Sequence, residues 1–178
     1  MKKINARSIA FGAMFTALTY VCTLISVPNG LGGYVNFGDT AVFLAAALMN
    51  PFVAAFAGGA GGALADLTLG YTAYAPFTLA VKAAEGLLAG ILIRCFATKA
   101  IRKGPEIALS ALCFVLSGVL MAGGYFGVNV IINDFETAPA AAQLPFDLLQ
   151  AAIAVTAALL MLYAARLKQA FYKIYRKE

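Results

Sequence analysis

The chain has 178 residues, of which 62% are hydrophobic and only 12% are charged. An average soluble domain is roughly 45–50% apolar and about 25% charged, so this composition indicates an integral membrane protein and excludes an ordinary soluble domain. The sequence contains no His, which excludes histidine-based metal, haem or acid–base chemistry.

The net charge of +5 comes from basic residues that are clustered rather than spread. Twelve of the 13 Lys and Arg form three clusters, which are Lys2, Lys3 and Arg7; Arg94, Lys99, Arg102 and Lys103; and Arg166, Lys168, Lys173, Arg176 and Lys177. Nucleic-acid binding would explain a basic chain, but the clustering favours membrane topology. Basic residues flank the cytoplasmic ends of spans, so we predict that all three clusters and both termini are cytoplasmic and that nucleic acid is not a partner.

Hydrophobic runs predict an all-α membrane protein with one membrane domain over 1–178 and six spans. The predicted helices are 7–27, 37–49, 52–70, 76–97, 106–132 and 146–167. The first run, Ala6–Val27, would be about 33 Å long as a helix, which is enough to span the hydrocarbon core and too long for a signal-peptide core.

The second predicted helix is short for a span, but the positions of the basic clusters favour a separate span. If it were fused to the third, the cluster at 94–103 would lie on the side opposite the N-terminus, whereas six spans place every basic cluster inside. The segment after the first helix, with Pro28 and Gly30, and the segment Asn133–Pro145 are then predicted to be outer loops.

Small residues recur three or four apart on the first helix at Ala6, Ala10, Ala13 and Ala17. Such spacing lets two helix backbones approach closely. Packing within the chain and contact with another protein both remain open for this stripe.

The fourth helix carries two charges, Lys82 and Glu85, which are three residues apart and can therefore pair on one face. A charge inside a membrane is costly and is usually kept for a function. Lys82 lies roughly 9 Å along the helix from Pro76, within reach of a pocket near the outer side. The alternative is a purely structural ion pair.

Other polar residues gather in the outer halves of the helices and predict an outward-facing pocket, since pockets combine apolar and aromatic walls with a few placed polar groups. The predicted substrate-binding residues are Asn36, Asp39, Asp66, Tyr74, Lys82, Glu85, Tyr125, Asn129 and Gln150. Thr68, Tyr71 and Asp147 lie in the same group. Helix capping by Asp39 and Asp147, an Asp66–Lys82 pair, and interfacial anchoring by Tyr71 and Tyr74 remain open. No group of residues has a spacing typical of catalysis or metal binding, so we predict neither an enzyme nor a cofactor.

Two stretches, GGYVNFGDTAVFLAAALMNP and GGALADLTLGYTAYAPFTLAVKAAEGLLAG, carry three motifs: G-Y-x-N-x-G-D, A-D-x-x-x-G-Y and A-P-x-x-x-x-x-K-x-x-x-G. They resemble the substrate-binding S components of energy-coupling factor (ECF) transporters, closest to the riboflavin-type branch, and the resemblance covers about 7–165.

The resemblance implies six helices that cross a bacterial plasma membrane, with both termini on the cytoplasmic side. It also implies a vitamin pocket near the outer side, closed by the loop after the first helix. The alanine stripe, Ala10, Ala13 and Ala17, would dock onto a transmembrane T component driven by two cytoplasmic ATPases. Riboflavin or a pyridine- or pyrimidine-type vitamin would be the ligand. A self-sufficient secondary transporter is the alternative function.

Overall fold

A computed structural model of the protein describes residues 6–100, 102–134 and 136–175. These residues form helices α1 (Ala6–Leu24), α2 (Gly38–Leu48), α3 (Pro51–Leu69), α4 (Ala75–Cys95), α5 (Lys103–Ile132), α6 (Thr137–Leu159) and α7 (Leu167–Tyr175), and strands β1 (Ser26–Pro28) and β2 (Tyr34–Asn36). A 3-10 turn at Ala97–Lys99 follows α4, and a π-helical turn at Leu160–Ala164 follows α6. The basic residues Lys2, Lys3, Arg176 and Lys177 lie outside the described residues.

Among the described residues, four helical segments are long and apolar enough to cross a membrane by length and composition. They are Ala6–Leu24, Pro51–Leu69, Lys103–Ile132 and Thr137–Ala164. The charges of α4 interrupt its apolar character, and α2 has only 11 residues. The predicted helical fold is therefore confirmed, with the addition of a small β-hairpin.

The short helix α2 lies at the centre of the bundle, where it packs against α1, α3, α4 and α6. Nearly all of its residues are buried. It ends at Leu48, and the Asn50 side chain then accepts a 2.8 Å hydrogen bond from the Val53 N–H and caps α3. An apolar segment this short is stable because other helices, rather than lipid, surround it.

Helices α3 and α4 pack backbone against backbone through glycine. A Cβ atom on Gly58 would lie 2.7 Å from the carbonyl oxygen of Lys82, and one on Gly86 would lie 2.5 Å from that of Ala54. This close approach fixes where the charged segment of α4 faces the rest of the bundle.

The buried face of α1 consists of Gly12, Phe15, Thr19 and Thr23. The small-residue stripe on the same helix, Ala6, Ala10, Ala13 and Ala17, is exposed. Packing among the described residues therefore does not account for the stripe, although packing within the chain is one of the two interpretations left open by the sequence.

The segment after α1, which was predicted to be an outer loop, forms a hairpin. Helix α1 ends at Leu24 instead of Val27, because Ser26–Pro28 pairs antiparallel with Tyr34–Asn36. Gly30 and Gly32 have φ values of 77° and 84°, which glycine adopts without the steric cost of a Cβ. These glycines supply the turn.

The sixth helix also differs from the prediction, because α6 begins at Thr137 and not at 146. Pro139 lies in the first turn, where its missing N–H costs no helical hydrogen bond. Three alanines follow, and alanine has the highest helix propensity. These residues extend the helix through Pro145, although a proline at that position lacks one helical donor.

The C-terminal basic segment forms a separate helix, α7, after a left-handed residue, Arg166, with φ of 55°. Phe171 on α7 is buried, and its ring lies 5.0 Å from that of Phe11 on α1. The last helix therefore packs against the first.

Candidate functional site

A cavity of about 50 Å³ lies beneath the hairpin, between α3, α4, α5 and α6. It is lined by Gly32, Gly33, Tyr34, Asn36, Asp66, Tyr71, Tyr74, Thr78, Tyr125, Asn129, Gln143, Asp147 and Gln150. Six of the nine predicted binding residues are in this lining: Asn36, Asp66, Tyr74, Tyr125, Asn129 and Gln150.

Tyrosines form one wall of the cavity. The rings of Tyr34 and Tyr71 lie 4.9 Å apart, and Tyr71 meets Tyr74 edge to face at 6.3 Å. The Tyr74 hydroxyl donates to Asn129 Oδ1 at 2.9 Å, and the Tyr125 hydroxyl donates to Thr78 Oγ1 at 3.1 Å. These hydrogen bonds fix the rings, so the wall offers ordered aromatic faces to a ligand.

Polar contacts between the hairpin and the helices close the cavity. The Tyr34 hydroxyl donates to the Asp66 carboxylate on α3, and Asn29 Nδ2 donates to Gln143 Oε1 on α6 at 2.8 Å. Burial, followed by the nearby Asp66 charge, raises the pKa of the Tyr34 phenol, so Tyr34 stays protonated and remains a donor.

Gln150 forms the floor of the cavity and joins the hairpin to α2. Its Oε1 accepts hydrogen bonds from the backbone N–H and the side-chain Nδ2 of Asn36, at 2.8 Å and 2.9 Å. Its Nε2 donates to Asp39 Oδ2 at 2.8 Å. Both ends of the amide are therefore fixed by protein groups.

Lys82 lies one layer deeper, in an ion-paired cluster with Asp39 and Glu85. Lys82 Nζ contacts the Asp39 carboxylate and lies 3.3 Å from Glu85 Oε2. All three side chains are buried, and none of them lines the cavity. Lys82 Nζ lies 5.6 Å from the ring centroid of Tyr125, which does line it. Tyr125 therefore lies between the Lys82 ammonium and the cavity.

The structure distinguishes between the partners that the sequence offered for Lys82. The Glu85 pair is present and the Asp66 pair is not, because Asp66 accepts from Tyr34 instead. Asp39, 43 residues before Lys82, is the additional partner. Sequence reasoning did not find this pair, since spacing reveals neighbours only within one helix.

Seven residues of the lining are not among the predicted binding residues: Gly32, Gly33, Tyr34, Tyr71, Thr78, Gln143 and Asp147. Tyr34 stands in the G-Y-x-N-x-G-D motif beside the predicted Asn36, and that position could have indicated it. Gln143 falls in the segment predicted to be a loop, so no helical spacing pointed to it.

A second concave surface lies on the outside of the bundle, between α1 and α3. This groove is lined by Ala13, Thr16, Ala17, Tyr20, Phe56, Leu64 and Thr68. Ala10 is exposed one turn before Ala13. The groove is separate from the cavity beneath the hairpin, since the two share no lining residue.

Comparison with known proteins places this architecture in a family. The family model of the ECF-type riboflavin transporter, S component, matches residues 3–168. A Pyrococcus woesei protein, described as an uncharacterized protein in a gap 3' region, is 36% identical over 136 residues, which is 76% of this chain and 84% of the relative. The thiamine precursor transporter HmpT of Lactococcus lactis subsp. cremoris (strain MG1363) is 28% identical over 141 residues, 78% of this chain and 76% of the relative. The chain therefore belongs to the S-component family of ECF-type riboflavin transporters, a family of membrane transport proteins, which confirms the resemblance seen in its motifs.

Proposed function

We propose that this chain captures a water-soluble vitamin or a related micronutrient from outside the cell membrane for ATP-driven uptake. The observation that carries the proposal is the cavity itself, with its tyrosine wall, its fixed amides and the hairpin that closes it. Such a combination suits a small polar heterocycle, because aromatic faces stack on the ring and placed polar groups select its substituents.

The two ends of α4 support an outward orientation of the cavity. The cavity is at the Ala75 end, and the basic residues Arg94 and Lys103 lie at and just beyond the Cys95 end. A 21-residue helix is about 30 Å long, which matches the hydrocarbon core. With basic residues on the cytoplasmic side, the cavity opens outwards, and six spans, α1 to α6, leave both termini inside.

The size of the cavity favours a small ligand. A cavity needs a volume of about 10–15 Å³ to hold one water molecule. A cavity of about 50 Å³ therefore accommodates a single ring more readily than the three fused rings of riboflavin. We therefore propose a pyridine- or pyrimidine-type vitamin or precursor. The similarity to a protein named as a thiamine precursor transporter supports this choice.

The six predicted residues in the lining are proposed to contact the ligand. Asp39, Lys82 and Glu85 are proposed to act one layer below. Gln150 transmits their effect, because Asp39 holds its Nε2 while Asn36 occupies its Oε1. Movement of the hairpin would break the Asn36 contacts at the same time as it opens the cavity.

Energy coupling is proposed to use the exposed stripe Ala10, Ala13 and Ala17 with the groove beside it. Small side chains let a partner helix approach the backbone of α1 closely. The partner would be a transmembrane T component that two cytoplasmic ATPases drive.

Reconstitution tests this function. The purified chain is placed in liposomes alone, or with a T component and two ATPases supplied with ATP or a non-hydrolysable analogue inside. A vitamin that co-purifies with the chain, identified by native mass spectrometry, is the transported probe. We expect uptake only with the complete set and ATP. Uptake by the chain alone, driven by an ion gradient, would instead establish a secondary transporter.

A further inference from the structure

Two carboxylates in the cavity each keep one oxygen without a hydrogen-bond partner. Asp66 on α3 is 2% exposed and Asp147 on α6 is 7% exposed, and both line the cavity. Asp66 Oδ2 and Asp147 Oδ2 are buried and accept no hydrogen bond from the described residues. A buried acceptor that is left unsatisfied carries the full cost of its removal from water, and this cost is larger when the acceptor is charged, so these two atoms indicate missing donors.

The charge around the cavity has one sign. The described lining contains two acidic residues and no Lys or Arg. The nearest ammonium, that of Lys82, is already bound to Asp39 and lies 3.3 Å from Glu85. Its ion-pair partners are therefore Asp39 and Glu85, and it forms no ion pair with Asp66 or Asp147 within the described residues.

We infer that the ligand is a basic, amino-substituted nitrogen heterocycle whose N–H groups donate to Asp66 Oδ2 and Asp147 Oδ2. This inference rests on the proposed function and names the substrate class of the same cavity. A protonated ring nitrogen beside an exocyclic amino group presents at least two N–H donors, and charge-assisted hydrogen bonds to carboxylates are about twice as strong as neutral ones. Tyr71 and Tyr74 provide faces for such a cationic ring.

The same arrangement selects against other vitamins. A phosphorylated or carboxylated ligand would bring a negative charge beside two carboxylates, and the juxtaposition of like charges strongly disfavours binding. A neutral ring without N–H groups would leave both Oδ2 atoms unsatisfied. Selectivity for the charge of the ligand is therefore built into α3 and α6.

A matched set of probes tests the inference by calorimetric titration of the full chain in detergent. The probes are 4-amino-2-methylpyrimidine, 4-methoxy-2-methylpyrimidine, which lacks the amino donors, and 2-methylpyrimidine-4-carboxylate. Riboflavin and thiamine are titrated beside them. We expect the amino compound to bind at least tenfold more tightly than the methoxy compound, and the carboxylate not to bind.

Isosteric variants locate the contact. Asp66→Asn and Asp147→Asn should each weaken binding of the amino compound at least tenfold, while Asp66→Asn keeps an acceptor for Tyr34. Asp134→Asn is the matched control, because Asp134 is exposed and outside the cavity. Thermal unfolding verifies that each variant folds. If a variant does not fold, the comparison between the amino and methoxy probes on the parent chain tests the inference by itself.

The outcomes separate the inference from the proposed function. Binding of riboflavin or of the methoxy compound that is equally tight in the parent and in both Asn variants would overturn the inference and leave vitamin capture standing. If the folded chain binds no vitamin and no probe, and none co-purifies with it, both are overturned.

Discussion

Lys82 on α4 is ion-paired with Asp39 at the start of α2, and the pair is buried in the middle of the helical bundle. Glu85, one turn further along α4, lies 3.3 Å from the same ammonium. The pair joins the central helix to the helix that carries the cavity wall, and Gln150 extends the connection to α6. A single cation therefore links three helices beneath the cavity.

Lys82→Met should destabilise the fold more than it weakens ligand binding. Removal of one partner of a buried ion pair typically costs 3–5 kcal/mol, because the other charge stays buried and uncompensated. We expect a loss of about this size in the free energy of unfolding, measured by denaturant titration in detergent. Lys82→Met combined with Asp39→Leu should recover part of it.

A different result would reassign Lys82. If Lys82→Met unfolds like the parent chain but loses ligand affinity in calorimetry, the ammonium contacts the ligand directly when the hairpin moves. The cluster would then belong to the binding site rather than to its support.

This ion pair shows what the sequence can and cannot predict about the site. The sequence predicts the Lys82–Glu85 pair because residues three apart share a helix face. The Asp39 partner is not, because it depends on how α2 is placed between the other helices. Polar residues in the outer halves of helices still identified six residues of the cavity lining, since they were selected by depth rather than by contact.

The fold was also predictable only in part, because local patterns locate helices but do not show how segments pair. Apolar length and charge located the helices, but not the hairpin at Ser26–Asn36 or the start of α6 at Thr137. The hairpin consists of two three-residue strands, too short for an alternating pattern to be recognised. At α6, the segment Asn133–Pro145 was predicted to be a loop, whereas the three alanines after Pro139 favour a helix.

Gly86→Ala should destabilise the contact between α3 and α4. An added Cβ would lie 2.5 Å from the Ala54 carbonyl oxygen, and this neighbour is backbone that cannot rotate away. Overpacking of this kind typically costs about 1–3 kcal/mol, which thermal unfolding in detergent would reveal.

Gly123→Ala is the matched control for that substitution. Gly123 lies in α5, and an added Cβ there would meet no atom within 4 Å. The same change should be neutral or stabilise the protein by up to about 1 kcal/mol through helix propensity. Equal effects at both positions would mean that close packing at Gly86 does not matter.

Gln143→Ala should loosen the closed hairpin. The substitution removes the acceptor of the 2.8 Å hydrogen bond from Asn29, and one hydrogen bond contributes about 0.5–1.5 kcal/mol. We expect ligand dissociation, followed by stopped-flow tyrosine fluorescence, to be roughly 3–10-fold faster. Gln169→Ala on α7 is the control, because Gln169 is exposed and outside the cavity. Unchanged dissociation in Gln143→Ala would show that this contact does not retain the ligand.

Cysteine labelling of intact cells should determine the topology. In a background with Cys22 and Cys95 replaced by Ala, Glu136→Cys should react with an impermeant maleimide and Lys103→Cys should react only after the cells are opened. Both positions are exposed in the structure, so accessibility differs only through the membrane. Cys113 is buried and can remain. The reverse labelling would contradict the orientation inferred from the basic clusters.

Leucine at Ala13 and Ala17 should abolish ATP-driven uptake while ligand binding is kept. Both alanines are exposed and line the groove on α1 and α3, away from the cavity. Two leucines would fill the groove and push a partner helix away from the α1 backbone, whereas an alanine stripe allows close approach. Reconstituted transport and co-purification of the T component measure coupling, and calorimetry measures binding. Ala152→Leu on the exposed face of α6 controls for added bulk in the membrane. Normal assembly and transport by the Ala13→Leu, Ala17→Leu chain would remove α1 as the docking surface and return the stripe to contact with lipid.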